Sequence, residues 1–173
     1  AKAFPGLRVY LISYGEGFDR LALYTEGPGD SGTYWLVDIA KGSAKVLAET
    51  RPRIRAADMG LSQRIEYKAA DGLGLDAVLT LPPGIEATGL PLLVLPHDGP
   101  MGAPDDLNFD WIAQAFAARG YAVLQPNYRG TLRRGEAFRL AAAGQMGRAM
   151  QTDLSDGVAH LAAQGIVDPA RVC

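Results

Sequence analysis

The chain has 173 residues, of which 48% are hydrophobic, and its formal net charge is −2. This length allows one medium domain or two small ones with a substantial core, and the charge argues against a nucleic-acid binder, because neutralising phosphates requires an excess of Lys and Arg. The single cysteine, Cys173, excludes an internal disulfide framework, and the longest apolar run is too short to span a bilayer.

Residues 7–50 are predicted to form four short strands, because segments rich in β-branched and aromatic residues alternate with turn-forming clusters. The segments are LRVYLISY, RLALYTEG, TYWLVDIA and AKVLAET. Four antiparallel strands of this size are typical of one blade of a β-propeller. One such blade cannot bury both of its faces alone.

Residues 51–63 are predicted to be a linker, since charge and proline replace the strand pattern. We therefore place a domain boundary between residues 1–60 and 61–173. Two alternating segments, RIEYKAA and LGLDAVLTL, follow on either side of Asp71–Gly72. Alternation around a DG pair predicts a β-hairpin.

From residue 90 the pattern becomes strand, helix, strand, helix, strand, which predicts a parallel sheet with flanking helices, the α/β class. The segments are LPLLVLP, DWIAQAFAARG, YAVLQPN, TDLSDGVAHLAAQG and DPARVC. Trp111, Ala115 and Phe116 are predicted to share one face of the first helix, and Leu154, Val158 and Leu161 have helical spacing in the second. Gly120 and Gly165 are predicted to end these helices.

A polar tail, His97-Asp98-Gly99-Pro100, follows the first predicted parallel strand. Ligands of open parallel sheets bind beyond the carboxyl ends of the strands, where this tail lies. Gly99 allows a sharp turn that directs a backbone N–H into the cleft, and such an N–H can form half of an oxyanion hole. An ordinary polar turn is the alternative interpretation.

Tyr128 and Arg129 end the second parallel strand and are expected on the same edge of the sheet. Arg129 can bind a carboxylate or carbonyl of a ligand, or it can be a buried arginine that joins two loops. Arg133 and Arg134 follow, and two adjacent loop arginines are more typical of a solvated surface. His160 lies within the second helix, where packing is its expected role.

No metal site or cofactor is predicted. DDLNFD, residues 105–110, resembles the start of a calcium loop, but Trp111 and Ala117 stand where that loop needs Gly and Glu. With two histidines and one cysteine, the sequence predicts no metal cluster of these residues either. The sequence contains no G-x-S-x-G, so the predicted oxyanion-type loop has no accompanying nucleophile motif.

Three stretches in this order and spacing resemble the prolyl oligopeptidase family of serine peptidases, in the branch of acylaminoacyl peptidases and bacterial dipeptidyl aminopeptidases. They are PHDGP, FDWIAQAFAARGYAVLQPNYRG and MQTDLSDGVAHLAAQGIVDPARVC. The resemblance implies that residues 61–173 are the N-terminal half of an α/β-hydrolase domain and that residues 1–60 end a β-propeller. It places the catalytic serine just past Cys173, with the aspartate and histidine later.

The resemblance also implies roles for individual residues. Asp98 and Gly99 would form the backbone oxyanion loop, His97 would shape it, and Tyr128 and Arg129 would line the substrate site. Asp98 replaces the first glycine of the family's His-Gly-Gly-Pro, and its carboxylate would oppose developing negative charge unless it turns away.

The chain is therefore expected to be part of a serine peptidase that hydrolyses short peptides. The expected location is the cytoplasm. The 173 residues alone are expected to be inactive. An esterase on the same fold is one alternative. A non-catalytic pseudo-enzyme or association fragment is another, because an incomplete sheet exposes an edge that promotes self-association or binding to the missing half. A peptide substrate is the expected partner, with no nucleic acid and no membrane.

Overall fold

The computed structural model describes residues 3–99 and 101–173. The chain divides into two compact units. The first unit contains residues 1–59 and 108–111, and the second contains residues 60–107 and 112–173.

The first unit is built on a four-stranded antiparallel sheet in the order β1-β2-β3-β4. Its strands are β1 (Arg8–Tyr14), β2 (Arg20–Gly27), β3 (Asp30–Asp38) and β4 (Ser43–Glu49). The predicted meander is therefore present. The β2–β3 turn contains only Pro28 and Gly29, and Gly29 has a φ of 80°, which suits glycine.

A small polar and aromatic cluster stabilises one end of this sheet. Thr25 donates its hydroxyl proton to Asp30 at 2.5 Å and accepts a hydrogen bond from the Trp35 indole at 2.9 Å. The ring of Phe4 packs on Trp35 with 5.0 Å between centroids. Elsewhere the sheet leaves large apolar side chains such as Leu11 and Leu47 exposed, so it buries little apolar surface by itself.

A 3₁₀ turn, Ala56–Asp58, lies near the end of residues 1–59, and the second unit contains the remaining elements apart from Trp111, the first residue of the first α-helix, which belongs to the first unit. They are β5 (Leu61–Lys68), β6 (Gly74–Leu81), β7 (Leu90–Val94), α1 (Trp111–Ala117), β8 (Ala122–Asn127), α2 (Glu136–Leu140), α3 (Ala149–Ala163) and β9 (Val167–Val172). Helix α2 was not anticipated from the sequence, and α3 begins three residues before its predicted start.

The sheet of the second unit has the order β5-β6-β8-β7-β9 and is mixed. Strand β7 pairs in parallel with β8 and β9, as predicted, but β6 pairs with β8 in the antiparallel direction. A purely parallel sheet is therefore the wrong description. The predicted hairpin around Asp71–Gly72 extends the parallel strands within one sheet, because backbone hydrogen bonds continue from β8 into β6.

The core of the second unit lies between this sheet and α3. Leu79, Leu92, Leu124 and Leu161 are almost completely buried there. The predicted face of α1 is wrong, because Trp111 is 65% exposed while Ala113, Gln114 and Ala117 are buried. Gln114 occupies that face because its side chain accepts a hydrogen bond from the Gly60 N–H at 2.7 Å and donates one to the Gly60 carbonyl at 3.3 Å.

Candidate active site

The loops that follow β7 and β8 meet at the carboxyl end of the parallel strands. Leu95 continues the ladder by donating its backbone N–H to the Leu124 carbonyl at 2.8 Å. The chain then leaves the sheet through residues 96–99, while Tyr128 and Arg129 follow β8. Because parallel neighbours end at the same edge, the two loops come together as the sequence predicted.

His97 is held in place on both sides of its ring. Its Nε2 lies 2.8 Å from the Thr131 hydroxyl, and its Nδ1 lies 2.7 Å from the Asp98 carbonyl oxygen. The imidazole stacks on the Tyr128 ring with 4.5 Å between centroids and 16° between planes. The Thr131 hydroxyl also donates to the Tyr128 carbonyl at 2.7 Å, within the loop that follows β8, and this bond fixes the hydroxyl that contacts His97.

Gly99 occupies a position that no side chain could share. A Cβ built on Gly99 would collide with the Tyr128 hydroxyl and would lie 3.1 Å from the ring carbon that bears it. The same hydroxyl donates a hydrogen bond to the His97 carbonyl at 3.1 Å. The backbone of residues 97–99 therefore wraps closely over Tyr128, and Gly99 itself is exposed.

Tyr128 is a neutral phenol at physiological pH. Its burial raises the pKa of the hydroxyl above the ordinary value of 10, and the negative charges of Asp98 and Asp105 raise it further. Asp98 itself is exposed. Pro100, the last residue of the predicted tail, lies outside the described residues.

Arg129 makes its contacts away from this loop. Its guanidinium binds Asp153 through Nε and Nη2, with distances of 2.8 to 3.1 Å, and binds Asp71 through Nη1 at 2.8 Å. Its backbone N–H also donates to Asp153 at 2.9 Å. Only 6% of the Arg129 side chain is exposed, and Asp153 is completely buried. These bonds raise the pKa of the Arg129 guanidinium above its ordinary value, chiefly through Asp153.

An apolar pocket of about 290 Å³ opens beside the loop. It is lined by Pro96, His97, Gly99, Tyr128, Met146, Gly147, Met150, Gln151 and Leu154. Three of the predicted site residues, His97, Gly99 and Tyr128, therefore face one cavity, whereas Arg129 does not line it. The first turn of α3 provides the opposite wall.

Several residues of this region were missed at the level of sequence. Thr131 and Asp153 have no motif of their own, although Met150, Asp153, Gly157 and Leu161 recur at helical spacing along the buried face of α3. A carboxylate on such a face indicates a buried cationic partner, and Arg129 was the available candidate. His160 lies elsewhere, 2.8 Å from the Gln164 amide and stacked on Tyr67, in a packing role.

Residues 3–99 and 101–173 contain no group of three or more His, Cys, Asp or Glu side chains arranged to hold a metal ion. No helix in the same residues combines the length and the apolar character needed to cross a membrane.

Residues 107–173 match the sequence profile of the prolyl oligopeptidase family. Over 146 residues the chain is 31% identical to dipeptidyl aminopeptidase BIII of Pseudoxanthomonas mexicana, and this alignment covers 80% of the chain and 21% of that protein. The chain thus spans about a fifth of the length of this relative.

Solved structures of similar proteins share this fold. A Mycobacterium tuberculosis puromycin-hydrolyzing peptidase superimposes with a TM-score of 0.74 at 24% identity, over 89% of this chain and 25% of that chain. A Pyrococcus horikoshii acylaminoacyl peptidase gives a TM-score of 0.69 at 22% identity, over 95% of this chain and 26% of that chain. At these identities the likeness establishes the fold alone.

Proposed function

Since this chain belongs to the prolyl oligopeptidase family, we propose that it forms part of a serine peptidase that hydrolyses short peptides by acyl transfer. In this proposal residues 61–173 contribute the first half of an α/β-hydrolase domain. Residues 1–60 contribute blade-like strands of a β-propeller, a role supported by the antiparallel order β1-β2-β3-β4.

The geometry of Gly99 is the observation that carries the proposal. It lies in an exposed loop beyond the carboxyl end of β7, beside an apolar pocket, at a position where an added Cβ would collide with the Tyr128 hydroxyl. A backbone N–H fixed in such a loop can donate to an oxygen that becomes negative in the transition state. We therefore assign the role of oxyanion loop to the backbone of Asp98 and Gly99.

The neighbouring side chains receive distinct roles in this proposal. His97 and Tyr128 line the pocket and hold the loop, and they form the wall against which a substrate would lie. Arg129 acts as a positioning residue, because its bonds to Asp153 and Asp71 fix the backbone that follows β8 and with it Tyr128. A direct substrate contact by Arg129 would require some of these bonds to open.

The nucleophile is proposed to lie outside this sequence, which contains no G-x-S-x-G. In acyl transfer a serine attacks the carbonyl, a histidine moves the proton, and oxyanion donors stabilise the tetrahedral intermediate. The 173 residues provide a candidate oxyanion donor, the backbone N–H of Gly99. We therefore expect the isolated 173-residue polypeptide to have no hydrolase activity, and turnover by the purified polypeptide would contradict this.

The proposal is tested on the full-length gene product with a fluorophosphonate probe and intact mass spectrometry. One adduct is expected, together with cleavage of short peptides. A protein that takes no adduct and cleaves no peptide would overturn the assignment and favour a non-catalytic role. Adduct formation with turnover of esters but not peptides would favour the esterase alternative.

Gly99→Ala in the full-length protein tests the oxyanion role directly. We expect kcat to fall by about 10²- to 10³-fold, as for loss of one oxyanion donor, because the added Cβ displaces the backbone from Tyr128. Tyr128→Phe removes the hydroxyl that the Cβ meets, so the double variant should regain part of the lost kcat. Gly17→Ala, at an exposed position of the first unit where a Cβ meets only the Asp19 carboxylate, at 4.0 Å, is the control and should leave kcat unchanged. Unchanged kcat in Gly99→Ala would remove Gly99 from the site.

A further inference from the structure

A second cavity of the second unit, about 610 Å³ in volume, lies beside the β5–β6 hairpin and is lined by four cationic side chains. They are Arg64, Lys68, Arg133 and Arg134. We call this cavity the arginine cleft. Its lining also includes the carboxylates of Glu66 and Asp76, so cations outnumber anions in the cleft.

The Asp76 carboxylate is already neutralised. It is only 5% exposed, accepts a hydrogen bond from Arg64 at 2.8 Å, forms an ion pair with Arg134, and accepts from the Asn127 amide at 2.9 Å. Arg134 is fixed further by its position over the Phe138 ring, 4.2 Å from the centroid. Asp76 therefore orders the two arginines rather than attracting a further cation.

Two cations of the arginine cleft remain available. Within the described residues, the side chains of Lys68 and Arg133 form no hydrogen bond, ion pair or ring contact, and both are exposed. Arg133 has a φ of 66°, in the left-handed region that non-glycine residues rarely adopt. Strained backbone of this kind concentrates at functional sites, where it aims a side chain.

The arginine cleft and the oxyanion loop lie on two sides of the same segment. Asn127 and Leu132 line the cleft, whereas Tyr128 and Thr131 hold the loop at residues 97–99. The Leu132 N–H also donates to the Gly102 carbonyl at 3.0 Å, which joins the cleft wall to the end of that loop. A peptide seated at Gly99 could therefore place a neighbouring side chain in the cleft.

We propose that the arginine cleft binds a carboxylate of the peptide substrate, so that the enzyme prefers peptides with an acidic residue near the cleaved bond. This inference rests on the proposed peptidase function. Arg133 and Lys68 would contact the carboxylate, since charge-assisted bonds from an arginine fork and an ammonium are suited to it. Arg64 and Arg134 would add their positive field from fixed positions.

The test compares short peptides that are identical except for Glu or Gln at each position in turn, cleaved by the full-length protein. At one position we expect kcat/KM to be about tenfold higher for Glu, the effect of one charge-assisted contact. The preference should shrink at about 1 M salt, where screening acts over about 3 Å. Equal kcat/KM for Glu and Gln at every position would overturn the inference.

Variants assign the preference to the arginine cleft. Arg133→Gln and Lys68→Gln should each lower the ratio of kcat/KM for the Glu peptide to kcat/KM for the Gln peptide. Arg133→Glu should remove the preference for Glu, and a peptide with Lys at the same position should then be cleaved with a higher kcat/KM than the Gln peptide. Arg53→Gln, which removes an exposed arginine of the first unit, is the matched control and should leave the ratio unchanged. A preference for Glu that survives the Arg133→Gln/Lys68→Gln double variant would refute the assignment.

Cleavage of the Gln peptide tests the proposed peptidase function separately from the proposal that the arginine cleft binds a carboxylate. If the full-length protein cleaves no peptide, the proposed peptidase function fails and the inference fails with it. If the Gln peptide is cleaved but Glu gives no advantage, only the arginine cleft proposal fails. The exposed side chain of Lys68 forms no hydrogen bond or ion pair with the described residues, so Lys68→Gln should fold normally. This variant keeps the test decisive if an Arg133 variant does not fold.

Discussion

At the scale of single residues, the ion pair between Arg129 and Asp153 is distinguished by its burial. The exposed fractions of the two side chains are 6% and 0%. An isolated buried charge is costly, so each partner depends on the other to satisfy its charge and its hydrogen-bonding groups. The Asp153 carboxylate also accepts a hydrogen bond from the backbone N–H of Arg129, and this bond joins the residue after β8 to α3.

Asp153→Asn should destabilise the protein by about 3 kcal/mol or more, because Arg129 would stay buried with only Asp71 as a charged partner. The change is measured as a shift in the urea unfolding midpoint of the full-length protein. Glu136→Gln is the matched control, because its ion pair with Arg139 is exposed on both sides, so its loss should change stability far less than Asp153→Asn does. Equal effects of the two substitutions would contradict the role of burial.

At the scale of elements, Gly60 determines how closely α1 approaches the sheet. A Cβ on Gly60 would lie 2.5 Å from the Leu81 carbonyl oxygen and 2.9 Å from the Ala117 methyl group. The Gly60 N–H and carbonyl both bond to the Gln114 side chain. The absence of a side chain therefore lets the start of β5, the end of β6 and α1 pack together.

Gly60→Ala should destabilise the protein by about 2 kcal/mol, because the backbone at Leu81 cannot yield as a flexible side chain could. The free energy of unfolding in urea measures the effect. Gly74→Ala is the control, since a Cβ at this exposed strand position meets nothing within 4 Å and should be neutral or slightly stabilising. A neutral Gly60→Ala would show that α1 can shift without cost.

At the scale of the whole molecule, acidic groups with lowered pKa values set the response to acid. The pKa values of Asp38, Asp58, Asp71, Glu136 and Asp168 are all held below their ordinary values by hydrogen bonds from backbone N–H groups or arginines. A carboxyl whose pKa is lower in the folded state stabilises the fold above its unfolded pKa. That contribution disappears as the pH falls through the folded pKa.

We therefore expect the urea midpoint to be flat near neutral pH and to fall as the pH drops below about 4, the pKa of unfolded carboxyl groups. In Asp71→Asn, which removes the acceptor of the Arg129 Nη1 hydrogen bond, the loss between neutral and acid pH should be smaller than in the parent. The measurement is the midpoint as a function of pH for both proteins. A midpoint independent of pH down to 3 would contradict this expectation.

The pattern of side chains along the chain was sufficient to predict the four-stranded meander, the hairpin at Asp71–Gly72 and the parallel pairing of β7 with its neighbours. These features depend on local periodicity and on turn residues, which a sequence displays directly. The same reasoning brought the tail at His97 and the end of β8 to one edge of the sheet. Their relative geometry follows from strand direction alone.

Tertiary structure decided what local patterns leave open. The antiparallel pairing of β6 with β8 depends on a partner far along the chain, and the buried face of α1 was set by the Gln114 bonds to Gly60 rather than by the apolarity of Trp111. The direction of the Arg129 guanidinium depended on Asp153, more than twenty residues later, because a buried charge takes the partner that the fold supplies. Periodicity thus determined which elements form, whereas long-range pairing and the satisfaction of buried polar groups decided how they meet.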